Sequence, residues 1–205
     1  MGHLFLDIES YATDEKNASN PYLPESKVIL IAYNYYDSDK PPVKNEIKPP
    51  TLLKEWASDE ASILKEFLEF LRELKKKNHK LKIHGFNILR FDLPYLFGRM
   101  KTHNLADEHE LHRLLFCTLG TDMMHVSSLL SDQKRSKEQL WNIEQFDINR
   151  FFDAQKHEGA EIKCSKMYDR KEFDKILQHC AEQFKFEQLM NSFYLYAKSL
   201  GEGKL

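Results

Sequence analysis

An apolar strand interrupted by two acids at alternate positions constrains this chain more than any other feature. Residues 3–9 read HLFLDIE, and in an extended segment residues two apart share a face. Asp7 and Glu9 therefore project from the same side of any sheet this strand joins. Two like charges on one apolar face are costly unless something cationic compensates them. Oxygen ligands at that spacing suit Mg²⁺ or Mn²⁺, which prefer carboxylates and water. Exposure of both acids at a strand end, with no role, is the other reading of the same spacing.

The segments that follow supply the rest of a sheet. Residues 11–25 are polar, carry Asn20-Pro21 and Leu23-Pro24, and read as a loop. Residues 27–36 (KVILIAYNYY) are rich in β-branched and aromatic side chains, the pattern of a central strand. Two Pro-Pro pairs, at 41–42 and 49–50, bracket a short third strand expected at residues 43–48. An antiparallel meander thus precedes any helix.

Ser58 then reads as the N-cap of a helix, with Asp59 and Glu60 in its first turn and Lys75, Lys76 and Lys77 at its end. Ile63, Leu64, Phe67, Leu68, Leu71 and Leu74 recur at helical spacing, so one face of it packs on the sheet. Residues 80–86 (KLKIHGF) form another strand, and Pro94 falls in the first turn of the helix after it. At least one further strand lies within residues 113–126. From Asp169 to about Leu200 a single long helix is expected, with Phe173, Ile176, Leu177, Cys180, Phe184 and Leu189 along one side. The composite is an α/β fold, a mixed sheet of meander plus parallel strands flanked by helices.

Length and composition bound the remaining choices. A chain of 205 residues suits one domain, residues 1–205, with a sizeable core. Hydrophobic residues at 41% and charged residues at 30% argue against disorder. A net charge of -2 advertises no bulk basic surface. Three cysteines without CxxC spacing fit a reducing compartment, so a cytoplasmic location is expected. No apolar run is long enough to span a bilayer, and no membrane association is expected.

A second acid motif bears on the first. After the strand at 80–86 comes Asn87-Ile88-Leu89-Arg90-Phe91-Asp92-Leu93-Pro94-Tyr95-Leu96. Asp92 stands where the chain enters a helix; its carboxylate could hold metal-bound water there, or serve as a plain N-cap. FLDIE followed by GFNxxxFDLPYL resembles the first two motifs of the DEDD 3′–5′ exonucleases, which have a ribonuclease H-like fold. The branch it is most similar to is the proofreading domain of family B DNA polymerases and its stand-alone relatives. Gly120-Thr121-Asp122-Met123-Met124 also resembles a strand of that family carrying an aspartate.

The resemblance implies a two-metal mechanism at DNA 3′ ends, with two Mg²⁺ or Mn²⁺ ions held by acids. Asp7, Glu9 and Asp92 would be the metal ligands, and Asn87 and Arg90 would contact substrate. A Tyr or His on the last helix orients the attacking water in this family, with the fourth acid one turn on. Here His179 takes the first of those positions, in His179-Cys180-Ala181-Glu182-Gln183-Phe184, and Gln183 replaces the acid. Glu182 could substitute only with a rotated helix, because it points about 100° away from Gln183. Glu187, one turn beyond, is a more distant substitute. The partner implied is DNA, as a single strand or 3′ end, with RNA also compatible, in replication or repair. A domain that has lost catalysis and serves as a nucleic-acid-binding or complex-forming subunit is the alternative that Gln183 raises. Arg90, Arg99, Lys101, the Lys75–Lys82 run and Lys134, Arg135 and Lys137 are candidate phosphate contacts, though lysines at helix ends commonly serve solvation alone.

Overall fold

A computed structural model of the chain describes residues 2–40, 42, 46–124 and 160–184. Its centre is a five-stranded sheet in the order β3-β2-β1-β4-β5. The strands are β1 (Gly2–Tyr11), β2 (Lys27–Asp37), β3 (Thr51–Lys54), β4 (Leu81–Gly85) and β5 (Leu119–Asp122). β1, β2 and β3 pair antiparallel, whereas β4 runs parallel to β1 and β5 parallel to β4. The helices are α1 (Glu60–Lys77), α2 (Asp92–Thr102), α3 (Glu108–Leu115), α4 (Ala160–Asp169) and α5 (Phe173–Gln183). This is the ribonuclease H-like arrangement of a mixed sheet between helical layers.

Strand alternation sorts β1 into two cores. Leu4, Leu6 and Ile8 join α1, α2 and α3 in one apolar cluster. Phe5 joins Ile176 and Cys180 of α5, Phe184 just after it and Cys164 of α4 in the other. Asp7 and Glu9 have the parity of Phe5, so they belong to the α4–α5 side. A β-bulge between Glu9 and Ser10 leaves Ile29 of β2 without a partner in the register. Such bulges re-aim the residues beside them.

The two helices on that face are tied down by polar contacts. The Ala12 amide donates to Ser165 Oγ at 2.9 Å, which fixes α4 against the end of β1. Lys27 Nζ bridges Glu55 and Tyr168, at 3.0 and 2.9 Å. Trp56 stacks on Phe173 with centroids 4.7 Å apart, anchoring the start of α5.

Several local expectations change. The third strand is Thr51–Lys54 rather than residues 43–48. Residues 46–50 form no strand, because Pro49 and Pro50 lack the N–H that a ladder uses; 43–45 lie outside the described residues. The N-cap of α1 is Asp59, not Ser58: its carboxylate accepts from the Ser62 amide at 2.9 Å and from the Ser62 hydroxyl at 2.8 Å. Ser58 instead closes a 3₁₀ turn at Glu55–Ala57. The helix expected from Asp169 begins only at Phe173, after a break at 170–172 where Lys171 adopts φ 58°, and Asp169 instead ends a separate helix, α4. The Lys171 amide donates to Tyr168 O and the Glu172 amide to Met167 O, the reversed bonding of a helix C-terminus. Leu189, and the continuation to residue 200, lie outside the described residues.

Candidate active site

Asp7, Glu9 and Asp92 meet at the point where β1 outruns its parallel neighbour. β4 pairs with β1 only over Gly2–Phe5 and ends at Gly85. Beyond it Asp92 takes over the vacated ladder position: its Oδ1 accepts from the Ile8 amide at 3.0 Å. Asp92 is therefore the first residue of α2 and not its N-cap, a place held by Phe91 without a side-chain bond. Gly85 permits the close approach, since a Cβ there would lie 2.8 Å from Leu6 O and 2.7 Å from Ile88 Cδ1.

All three carboxylates are buried, Asp7 at 8%, Glu9 at 5% and Asp92 at 2% exposure, which excludes a solvent-facing strand end. Burial pushes the Asp7 carboxyl well above its ordinary range, and the charge of Glu9 adds to it. Burial raises Asp92 as well, followed by the charge of Asp7; the Ile8 amide opposes this only in part. Asp7 Oδ2 is buried without a hydrogen-bond partner, and neither Asp7 nor Asp92 has an ion-pair partner among the described residues. A cluster of desolvated carboxylates with a bare oxygen fits a hard divalent cation.

The loop leading into α2 is held by an acid whose role the sequence left open. Asp122, at the end of β5, accepts from the amides of Asn87 at 2.9 Å, Leu89 at 3.3 Å and Met124 at 3.0 Å. Asp122 is a positioning residue for the Asn87 turn. Asn87 itself adopts φ 60°, a left-handed conformation that Asn tolerates. Its Oδ1 is buried and has no hydrogen-bond partner. Arg90 is exposed on the same turn.

On the opposite flank stand α4 and α5. His179 is buried, with a ring nitrogen in a group of ligating atoms from Glu9 and Cys164 that all lie within 4.8 Å of one another. Asp7, Glu9 and Cys180 form a second such group. Burial, followed by Glu9, drives the Cys164 thiol far up. Burial likewise raises Cys180, followed by Asp7 and Glu9. Nothing in the sequence flags Cys164, a lone cysteine between Lys163 and Ser165; only the folding of α4 onto β1 brings it here.

Other sequence candidates fall elsewhere. Glu182 is exposed and accepts from Gln178 Nε2 at 3.4 Å, so it faces solvent and is not a fourth ligand in this arrangement. The side chain of Gln183, and all of Glu187, lie outside the described residues, as do Lys134, Arg135 and Lys137. Arg99 is no phosphate contact: it is buried against Glu60, with Nη2 to Oε2 at 2.7 Å. Lys101 pairs with Glu108 at 2.8 Å and Lys76 with Glu73 at 2.8 Å.

The sheet order, the acid pair on its central strand and a third acid at the head of α2 define a ribonuclease H-like exonuclease fold. The chain belongs to the exonuclease domain family of the family B DNA polymerases, whose model matches residues 3–159. That match includes Asp7, Glu9, Asp92 and Asp122, and ends before α4. No curated protein matches the sequence. Among solved structures it is similar to the family B DNA polymerase of the hyperthermophilic archaeon Pyrobaculum calidifontis, with a TM-score of 0.42 and 16% identity over 92% of this chain and 27% of that one. It is also similar to E. coli exonuclease I in complex with a dA16 oligonucleotide, with a TM-score of 0.41 and 16% identity over 64% of this chain and 31% of that one. The chain spans less than a third of either protein's length.

Proposed function

We propose that this domain is a divalent-cation-dependent 3′–5′ exonuclease acting on DNA ends, with Asp7, Glu9 and Asp92 as its metal ligands. The observation that carries this reading is the buried carboxylate cluster with Asp7 Oδ2 unpartnered at its centre. Mg²⁺ or Mn²⁺ held there would stabilise charge developing on the scissile phosphate and acidify an attacking water. Each protein group has a separate task. Asp7 and Glu9, fixed on the central strand, present their oxygens from one sheet face. Asp92 is oriented by the Ile8 amide, so its second oxygen keeps a set direction. His179 orients and deprotonates the attacking water from the α5 side. Arg90 neutralises a substrate phosphate, and Asn87 Oδ1 accepts from the terminal nucleotide.

The reading is tested by digestion of a 3′-labelled and a 5′-labelled DNA oligonucleotide with Mg²⁺ or Mn²⁺. Stepwise shortening from the 3′ end, lost in Asp7→Ala, is the expected result. Equal product from Asp7→Ala would remove the assignment of the site. An RNA oligonucleotide in the same assay reads sugar preference, which requires a contact to the 2′-OH.

Gln183 supports a second reading, a domain that binds nucleic acid or a protein partner without cleaving. At the position of the family's fourth acid it offers a neutral amide, one negative charge fewer for the ions. Gln183→Asp discriminates. A gain of cleavage marks an attenuated nuclease; bound DNA with no cleavage in either form marks a binding role.

A further inference from the structure

The oxygen cluster has ligands of a different chemical kind on its α4–α5 side. Glu9 of β1, Cys164 of α4 and His179 of α5 are all buried, and one ligating atom from each lies within 4.8 Å of the other two. Cys180 Sγ stands in the same relation to Asp7 and Glu9. These donors come from a strand at the start of the chain and two helices more than 140 residues later, so no local motif forces Glu9 together with the other two. The sets are held in place by the Ala12–Ser165 bond under α4 and the Trp56–Phe173 stack under α5.

The donor types decide what such a set prefers. Mg²⁺ takes oxygen ligands and keeps several waters. A thiolate, an imidazole and a carboxylate instead select a borderline transition-metal dication, and three protein ligands with one position left open are the composition of open zinc sites. Tetrahedral zinc bond lengths imply ligand–ligand separations of about 3.3 to 3.8 Å, so a limit of 4.8 Å leaves only small side-chain adjustments to close the set. A second observation lies beside this set: Asp7, which shares an adjoining ligand group with Glu9 and Cys180, has its Oδ2 buried without a hydrogen-bond partner.

We propose that Glu9, Cys164 and His179 form a binding site for a thiophilic transition-metal dication, represented by Zn²⁺, which shares Glu9 with the Mg²⁺ or Mn²⁺ cluster. One carboxylate cannot complete both coordination sets, so the two classes of ion compete. Zn²⁺ withdraws Glu9 and His179 from the phosphodiester chemistry and acts as a brake. The competition rests on the exonuclease reading; the zinc site does not.

The test uses the metal-stripped full chain titrated with Co²⁺, whose thiolate complexes absorb in the near ultraviolet. The expected result is a charge-transfer band that saturates at one Co²⁺ per chain, is displaced by Zn²⁺, and persists in Cys117→Ser, which changes the exposed cysteine. Cys164→Ala should abolish the band, and His179→Gln should weaken Zn²⁺ binding at least about 10- to 100-fold in calorimetry. Circular dichroism of both variants establishes that they fold. No band in the wild type, or an unchanged band in folded Cys164→Ala, would overturn the site. Excess Mg²⁺ should shift the Co²⁺ titration to higher concentration, and indifference to Mg²⁺ would overturn the sharing of Glu9. A cobalt band in a protein that cleaves no nucleic acid would refute the exonuclease reading alone.

Discussion

Two buried acid clusters lie in this domain and are built in opposite ways. Around Glu60, every lone pair is answered. Oε1 accepts from the Val28 amide at 2.7 Å and Arg99 Nε at 2.8 Å, while Oε2 takes Arg99 Nη2 at 2.7 Å and contacts His103 Nε2 at 2.7 Å. Arg99 also donates to Pro21 O at 2.8 Å, so the fork joins β2, α1, α2 and the loop between β1 and β2. Burial pushes against ionisation of Glu60, but Arg99, His103 and the Val28 amide together hold its carboxyl below the usual range. Around Asp7, burial and a neighbouring acid act in the same direction, and Asp7 has no ion-pair partner among the described residues. One cluster joins elements; the other stores unfavourable charge in a place where a cation would relieve it. Equal burial therefore says nothing about role, and the partners decide it.

The sharpest way to break this contrast is to remove one member of each cluster. Asp7→Ala should lower metal-supported cleavage by about 1,000-fold, corresponding to several kcal/mol of lost transition-state stabilisation, as read by end-labelled digestion. The same change should raise the melting temperature of the metal-free protein, because one of two crowded buried charges is gone. Arg99→Met should do the reverse, costing about 3 to 5 kcal/mol in urea unfolding by leaving Glu60 buried without its ion-pair partner.

The next largest effect concerns charge added rather than removed. Gln183→Asp should increase cleavage about tenfold, equivalent to roughly 1.4 kcal/mol in the barrier. It should also lower the metal-free melting temperature and enlarge the stabilisation by Mg²⁺. A higher melting temperature without metal would place residue 183 away from the acids.

The smallest effect is a pair of opposite pH dependences. Glu60 has a depressed folded pKa, so its contribution is present above its ordinary value of 4.5 and is lost as pH falls through the folded value. Asp7 and Asp92 have raised folded pKa values, so the folded state binds more protons than the unfolded one. Their contribution therefore declines as pH rises from 3.8 toward those folded values, by at most about 1.4 kcal/mol per pH unit for each group. Melting curves between these limits should show the decline in wild type, its reduction in Asp7→Asn, and its suppression by saturating Mg²⁺. Glu60→Gln should remove only the loss on the acid side.

Much of the sheet was legible because its cues are local. The alternation in β1, the β-branched run of β2 and the apolar stripe of α1 each specify an element within one segment, and the core side chains of α1 lie buried as that stripe implies. The strand at Thr51–Lys54 was misplaced because Pro pairs mark breaks without saying on which side pairing resumes. α4 went unread and α5 was begun at Asp169 rather than Phe173, because the break between them depends on Lys171 entering the left-handed region. Arg99 looked like a free cation for the same reason that Glu60 looked like a first-turn acid. Nothing near either residue announces a partner 39 positions away.

By itself the sequence determined that Asp7 and Glu9 share a face and that Asp92 opens a helix, since strand and helix periodicity are properties of short segments. Folding decided which charges would be answered. It carried Arg99 to Glu60 and left Asp7 with a bare oxygen, and it brought Cys164 and His179 beside Glu9. Charge compensation in a low-dielectric interior is a matter of distances across elements, and those distances exist only once the sheet and its two helical layers have packed.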